Sequence, residues 1–189
     1  VKKLCEGPDG LYYALLFQGG ITCFDKDIEK FLPVRFDKPL ELKDILDFCW
    51  NDGSLYLVTS QGLFESRIVR KTEGKHDFVL CLLNPEPVVR GKVAHLCSDG
   101  KTNLYFSVNQ RKVVHYDLVA KKTSLIKEYS VVNRLFLRHG YLWICRLWDD
   151  IICYDLKTNE ERVISMEGKD QSEFSNSYVT DLVLKDNRT

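Results

Sequence analysis

One short motif returns four times along the chain: Leu11-Tyr12-Tyr13, Leu55-Tyr56-Leu57, Leu104-Tyr105-Phe106 and Leu142-Trp143-Ile144. Its spacing brackets the roughly 40–50 residues of blade-type repeats. A period of that size constrains the fold more than composition does. Each copy must be one supersecondary unit that buries its apolar surface on its neighbours.

Three features travel with each copy. A turn with Gly or Asp precedes the motif: Pro8-Asp9-Gly10, Asn51-Asp52-Gly53, Asp99-Gly100-Lys101 and His139-Gly140. Glycine reaches positive φ at such turns without steric cost. Before the turn lies an apolar strand in copies two to four: Ile45 to Trp50, Val93 to Cys97 and Val132 to Leu137. In the first copy only Val1 to Cys5 remains. After the motif come a second turn and a third strand, as in Gly20 to Asp25, Gly62 to Ser66, Val113 to Asp117 and Ile151 to Asp155. A fourth strand closes each unit: Phe31 to Phe36, Phe78 to Leu83, Thr123 to Lys127 and Glu161 to Ile164. The strands are rich in β-branched and aromatic residues, and no long stretch carries a helical apolar period with caps.

The pattern predicts an all-β chain of four four-stranded antiparallel β-propeller blades, at about 1–36, 42–83, 91–127 and 130–165. Residues 177–189 read as the first strand and turn of a fifth blade. Radial repetition of four-stranded sheets protects their edges, and four blades is the lower limit for closing a ring. The expectation is therefore a part of a larger propeller; the alternative is a closed four-bladed ring whose tail completes the first blade. An open segment would expose blade faces and tend to dimerise or aggregate.

Charge and cysteines narrow the function classes. Lys and Arg number 27 and Asp and Glu number 27, without the basic excess or stripe expected of a nucleic-acid binder. No apolar run approaches the roughly 18 residues of a membrane span. The seven cysteines form no Cys-x-x-Cys pair and lie at no zinc spacing to a histidine, so no metal or cofactor is expected. Most sit inside strands, where a thiol packs as a small hydrophobe. Cys145 and Cys153, on adjacent strands, are the best candidate pair for a bridge. His76 and His139 fall in turns, His95 and His115 in strands; there is no Gly-x-Ser-x-Gly elbow and no phosphate-cradling loop. Acidic pairs such as Asp149-Asp150 read as solvated turns, although carboxylates from different blades could still meet. The segment is thus read as non-catalytic.

The repeats resemble the two-component regulator propeller. Its blade runs as an apolar strand, Asp-x-x-Gly, a Leu-Trp-Ile-Gly-Thr segment, Gly-Leu, and a strand ending in Tyr or Phe with Asp. Asn51 to Leu63 is the nearest copy, followed by Leu142 to Cys145 with Ile152 to Leu156. Tyr replaces the family's Trp in three blades, and Val58 and Cys145 stand where Gly is usual. The Gly-His with Trp-Asp pairing of WD40 blades and the paired glycines of kelch blades are missing.

The resemblance implies a periplasmic sensor region in a hybrid two-component histidine kinase, anchored in the inner membrane by its parent protein, with an oligosaccharide as ligand. Neighbouring propeller blades or a second copy of the chain are the expected protein partners. A non-catalytic protein-interaction propeller is the alternative. For sugar binding the candidate residues lie in the turns after the second strand of each blade: Gln18, Gln61, Asn109, Gln110, Arg146 and Trp148. Polar residues also serve any hairpin turn. Trp50 and Trp143 are instead expected to wedge between blades.

Overall fold

In the computed structural model, residues 1–37, 45–71, 77–147 and 150–164 are described. They contain no helix, and so none long and apolar enough to cross a membrane. The strands are β1 (Lys3–Glu6), β2 (Tyr12–Leu15), β3 (Ile21–Asp25), β4 (Lys30–Phe36), β5 (Asp47–Asn51), β6 (Ser54–Thr59), β7 (Gly62–Lys71), β8 (Asp77–Leu82), β9 (Val89–Arg90), β10 (Val93–Ser98), β11 (Asn103–Val108), β12 (Lys112–Asp117), β13 (Lys122–Glu128), β14 (Val132–Arg138), β15 (Tyr141–Arg146), β16 (Ile151–Asp155) and β17 (Glu161–Ile164). The expected start of a fifth blade lies outside the described residues.

β10–β13 and β14–β17 are separate four-stranded antiparallel meanders. Blades one and two differ from the expected separate sheets. Their outer strands β4 and β8 pair in parallel, Val34 with Phe78 and Phe36 with Leu80, so that β1 to β4 and β8 to β5 form one continuous sheet. Successive repeats send their fourth strands in the same direction, so parallel pairing is the one available way to cover both outer edges at once. The short strand β9 adds to β7 at Gly62 and Leu63. A Cβ on Gly62 would stand 2.0 Å from the Val89 carbonyl, and its φ is +144°, so only glycine admits β9 here.

Each pair of neighbouring blades encloses its own apolar layer. Tyr13, Phe48, Leu57 and Phe64 fill the first, Tyr56, Leu96, Leu104 and Phe106 the second, and Tyr105, Leu135, Leu142 and Ile144 the third. The ladder corrects the register read from sequence. Tyr13, not Tyr12, pairs with the inner strand at Cys5, as Tyr56 does at Cys49, Tyr105 at Cys97 and Trp143 at Phe136. Gly10 and Gly53 in the preceding turns agree with this alignment. A one-residue slip reverses every side chain between the two faces. With the corrected register, Tyr13, Tyr56 and Tyr105 each face the following blade.

The same register identifies an uncovered face. Leu4 is equivalent to Phe48, Leu96 and Leu135, which are at most 5% exposed, yet Leu4 is 59% exposed. Tyr12 is 39% exposed where Leu55, Leu104 and Leu142 are fully buried. Phe31, its ring tilted against Phe24 with centroids 5.0 Å apart, extends this face at 54% exposure. Positions that three blades bury against a preceding blade stand open on blade one.

Stability measurements should separate the two environments. Leu96→Ala should cost about 2–5 kcal/mol in urea denaturation, whereas Leu4→Ser should change it by less than about 0.5 kcal/mol. Sedimentation of the chain should show self-association that Leu4→Ser with Phe31→Ser removes. A tight monomer at high concentration would contradict the open face.

Candidate functional site

The inner strands β1, β5, β10 and β14 converge on a common axis. The position two residues before Cys5, Cys49, Cys97 and Phe136 is occupied by Lys3, Asp47, His95 and Arg134. These four side chains are thus one repeat-equivalent ring, and all four line a cavity of about 480 Å³. They also line a second cavity of about 330 Å³ that adds Leu15, Phe17 and Gln110. The second space opens at the rim carrying the turns between second and third strands, since Lys3 pairs with Leu15 at the end of β2.

Backbone irregularity builds this ring. The β10–β11 register shifts between Ala94 and Cys97, and His95 takes φ +55°. Such a bulge frees backbone groups and re-aims side chains. The freed Leu96 amide donates to Asp47 Oδ2 at 2.7 Å, and the Leu96 carbonyl accepts from Lys3 Nζ at 3.1 Å. Lys3 Nζ also donates to Asp47 Oδ1 at 2.8 Å, and that oxygen accepts the Phe48 amide at 2.8 Å. Asp47 therefore joins three blades. Burial alone would lower the Lys3 ammonium; the charge and hydrogen bond of Asp47, with smaller contributions from Cys49 and Cys97, together turn the net shift upward. A second register shift, between Val132 and Arg134, sets the Arg134 side of the ring.

His95 is different in kind. Burial, reinforced by the Arg134 cation, pushes its imidazole down to about 4. The Asp47 carboxylate and the Val132 backbone act the other way without reversing it. His95 Nε2 is buried with no hydrogen-bond partner among the described residues.

Of the turn residues proposed from sequence that are described, Gln110 alone lines the mouth of the axial cavity. Its neighbour Asn109 is exposed, and both adopt positive φ in the β11–β12 turn. Gln18 and Gln61 are exposed tips of their own hairpins. Arg146, at the end of β15, donates from Nε to the Asp150 carbonyl at 3.1 Å. Trp148 lies outside the described residues, as do Asp149 and His76. The sequence reading passed over Lys3, Asp47 and Arg134 and treated His95 only as a strand residue. Their signal is a recurring triplet: Lys3-Leu4-Cys5, Asp47-Phe48-Cys49, His95-Leu96-Cys97 and Arg134-Leu135-Phe136.

The seven cysteines are free thiols. Cys145 faces Ile151 and Cys153 faces Trp143, so the expected candidate pair is offset along its ladder and unbridged. Burial raises the Cys145 thiol to about 11 and the Cys97 thiol to about 12, which keeps these two protonated and unreactive. Among the described residues, no group of three or more His, Cys, Asp and Glu side chains is placed to hold a metal ion.

The His95 environment has a pH signature. The unfolded chain binds a proton near the ordinary histidine value while the folded chain resists it until about 4. Stability is full above pH 6.5 and falls as pH drops from 6.5 toward 4, by up to about 3 kcal/mol. Lys3, Asp47 and Arg134 are the other ionisable side chains of the ring around it. Thermal melts across it should lose this component in His95→Gln; an unchanged pH profile in the variant would contradict the assignment.

No protein-family model matches the sequence, and no curated protein matches it. Solved structures do match in fold. The extracellular domain of BT4673 from Bacteroides thetaiotaomicron, named in one structure as a one-component and in another as a hybrid two-component system, superposes with a TM-score of 0.67 at 14% identity in the first, covering 93% of this chain and 25% of that one. An auxiliary nutrient binding protein from the same organism gives 0.58 at 17% identity, over 86% of this chain and 41% of that one. The extracellular domain of BT3049, also named as a hybrid two-component system, gives 0.55 at 13% identity, over 87% and 24%. The chain spans between about a quarter and two-fifths of these proteins. At such identities the likeness is one of fold: the chain is a run of β-propeller blades, of the architecture found in these bacterial proteins.

Proposed function

We propose that this chain is a ligand-sensing segment of a larger β-propeller, in the periplasmic region of an inner-membrane-anchored hybrid two-component sensor histidine kinase. Its ligand in this reading is a small oligosaccharide. The carrying observation is the axial cavity, where Lys3, Asp47, His95 and Arg134 converge from four blades. Concave sites with a few convergent polar groups are the usual form of a small-molecule site. The fold neighbours support the reading, since two are named as extracellular domains of one-component or hybrid two-component systems and one as a nutrient binding protein. The resemblance of the Asn51–Leu63 repeat to two-component regulator blades points the same way.

The uncovered face of blade one favours a second reading, a protein-interaction propeller. Leu4, Tyr12 and Phe31 present apolar surface that a further blade or a second copy would bury.

Calorimetric screening with neutral and charged oligosaccharides separates the two. The sensor reading expects a binder whose affinity falls at least tenfold in Arg134→Gln. Silence across the panel, with self-association retained, would leave the interaction reading.

A further inference from the structure

The motif that builds the ring occurs a fifth time in the sequence. Val1-Lys2-Lys3-Leu4, Ile45-Leu46-Asp47-Phe48, Val93-Ala94-His95-Leu96 and Val132-Asn133-Arg134-Leu135 share one pattern: a β-branched residue, a free position, the ring residue, then Leu or Phe. Val179-Thr180-Asp181-Leu182 repeats it. The interval from Arg134 to Asp181 falls within the range of the intervals between ring members. Asn187 stands where Gly53 and Gly140, both at positive φ, turn the chain after Asp47 and Arg134. Asparagine is among the few residues besides glycine that tolerate that conformation. Residues 179–187 lie outside the described residues, so their place follows from the pattern and from what blade four leaves open.

Both apolar positions of the pattern have a fixed destination. Ile45 with Phe48, Val93 with Leu96, and Val132 with Leu135 each enter the layer shared with the preceding blade. Val179 and Leu182 thus carry the pair that belongs against blade four. Blade four has the matching surface. Phe136 and Trp143 pair across β14 and β15 as Cys49 and Tyr56 pair across β5 and β6. Cys49 and Tyr56 pack on the following blade. Phe136 and Trp143 are only half-buried and join none of the three apolar layers among the described residues.

Charge gives an independent match. Lys3 on one inner strand donates to Asp47 on the next at 2.8 Å. Arg134 lines the same axial space and has no ion pair among the described residues. Asp181 restores the order seen at Lys3 and Asp47, with the cation on one strand and the carboxylate on the following one. We propose that residues 179–184 dock on blade four as a fifth inner strand, with Val179 and Leu182 against Phe136 and Trp143 and Asp181 accepting from the Arg134 guanidinium. A guanidinium fork matches a carboxylate with two parallel hydrogen bonds. The connection after Ile164 is longer than those leading from β4, β8 and β13 to the next inner strand, so its reach is ample. The inference rests on the larger-propeller part of the reading above and is independent of the ligand.

The test is amide hydrogen exchange of this chain, read at residues 182–184. Docking should slow exchange by about a hundredfold or more against a free peptide of the same sequence. Asp181→Arg and Arg134→Asp should each speed it by about tenfold, and the two together, which swap the charges, should bring it back to the unaltered rate. Leu182→Ser should remove the protection. Lys122→Gln, an exposed charge on β13, should leave it unchanged. If Arg134→Asp melts early, Arg134→Gln with Asp181→Asn carries the test: the pair should speed exchange no more than the stronger single change. Exchange at the free-peptide rate in the unaltered chain would overturn the proposal. So would protection that is indifferent to Asp181→Arg and Arg134→Asp. Protection lost in Leu4→Ser with Phe31→Ser would also overturn it, by placing the segment on blade one. Each of these failures leaves the ligand reading to its own calorimetry.

Discussion

Asp47 is the interaction on which the axis depends. Inner strands of neighbouring blades do not form ladders with one another, so their backbone groups must be satisfied by side chains or water. The β10 bulge turns the Leu96 amide and carbonyl toward the axis, and Asp47 and Lys3 take one each. One carboxylate thereby ties β1, β5 and β10 in a site where loss of any member leaves a largely buried charge or an orphaned N–H. The bulge that makes this hub also places His95 beside it, so the structural tie and the candidate binding surface are built from the same irregularity.

Farther from the axis the blades are held by different means. Apolar layers fill the three spaces between blades. At the periphery, Arg70 reaches Asp25 from blade two to blade one at 3.6 Å, and Glu161 of blade four accepts from Lys127 at 2.6 Å and from the Tyr129 hydroxyl of the blade-three side. The parallel β4–β8 pairing makes the first two blades a single curled sheet. That leaves blades three and four as separate meanders, docked by packing and by side-chain and turn hydrogen bonds rather than by a shared ladder. Such nearest-neighbour architecture makes stability roughly a sum of blade and interface contributions.

Much of this was legible in the sequence, because repeat period, turn residues and strand alternation are local signals that agree with one another. Tyr56, Tyr105 and Trp143 marked the second strand of their blades correctly. The first copy misled because Leu11-Tyr12-Tyr13 offers two aromatics in a row, and only the ladder to Cys5 distinguishes them. That one-residue slip hid the equivalence of Lys3 with Asp47, His95 and Arg134. The β4–β8 pairing and the β10 bulge were illegible for another reason. Both depend on contacts between segments far apart in sequence, and neither Leu96 nor Val34 carries a local sign of them. The turn residues chosen for sugar binding were read from chemistry without depth; Gln110 reaches the cavity mouth because its blade is the one that presents it there.

The most direct test of the account is a double-mutant cycle between Lys3 and Asp47, measured by urea denaturation of Lys3→Met, Asp47→Asn and the double variant. If the pair closes the axis, each single change costs about 2–4 kcal/mol and the double costs clearly less than their sum, with a coupling of at least about 1 kcal/mol. Additive effects, or single changes within about 0.5 kcal/mol of the unaltered chain, would mean that the blades converge without this hub and that the axial site is not built as described.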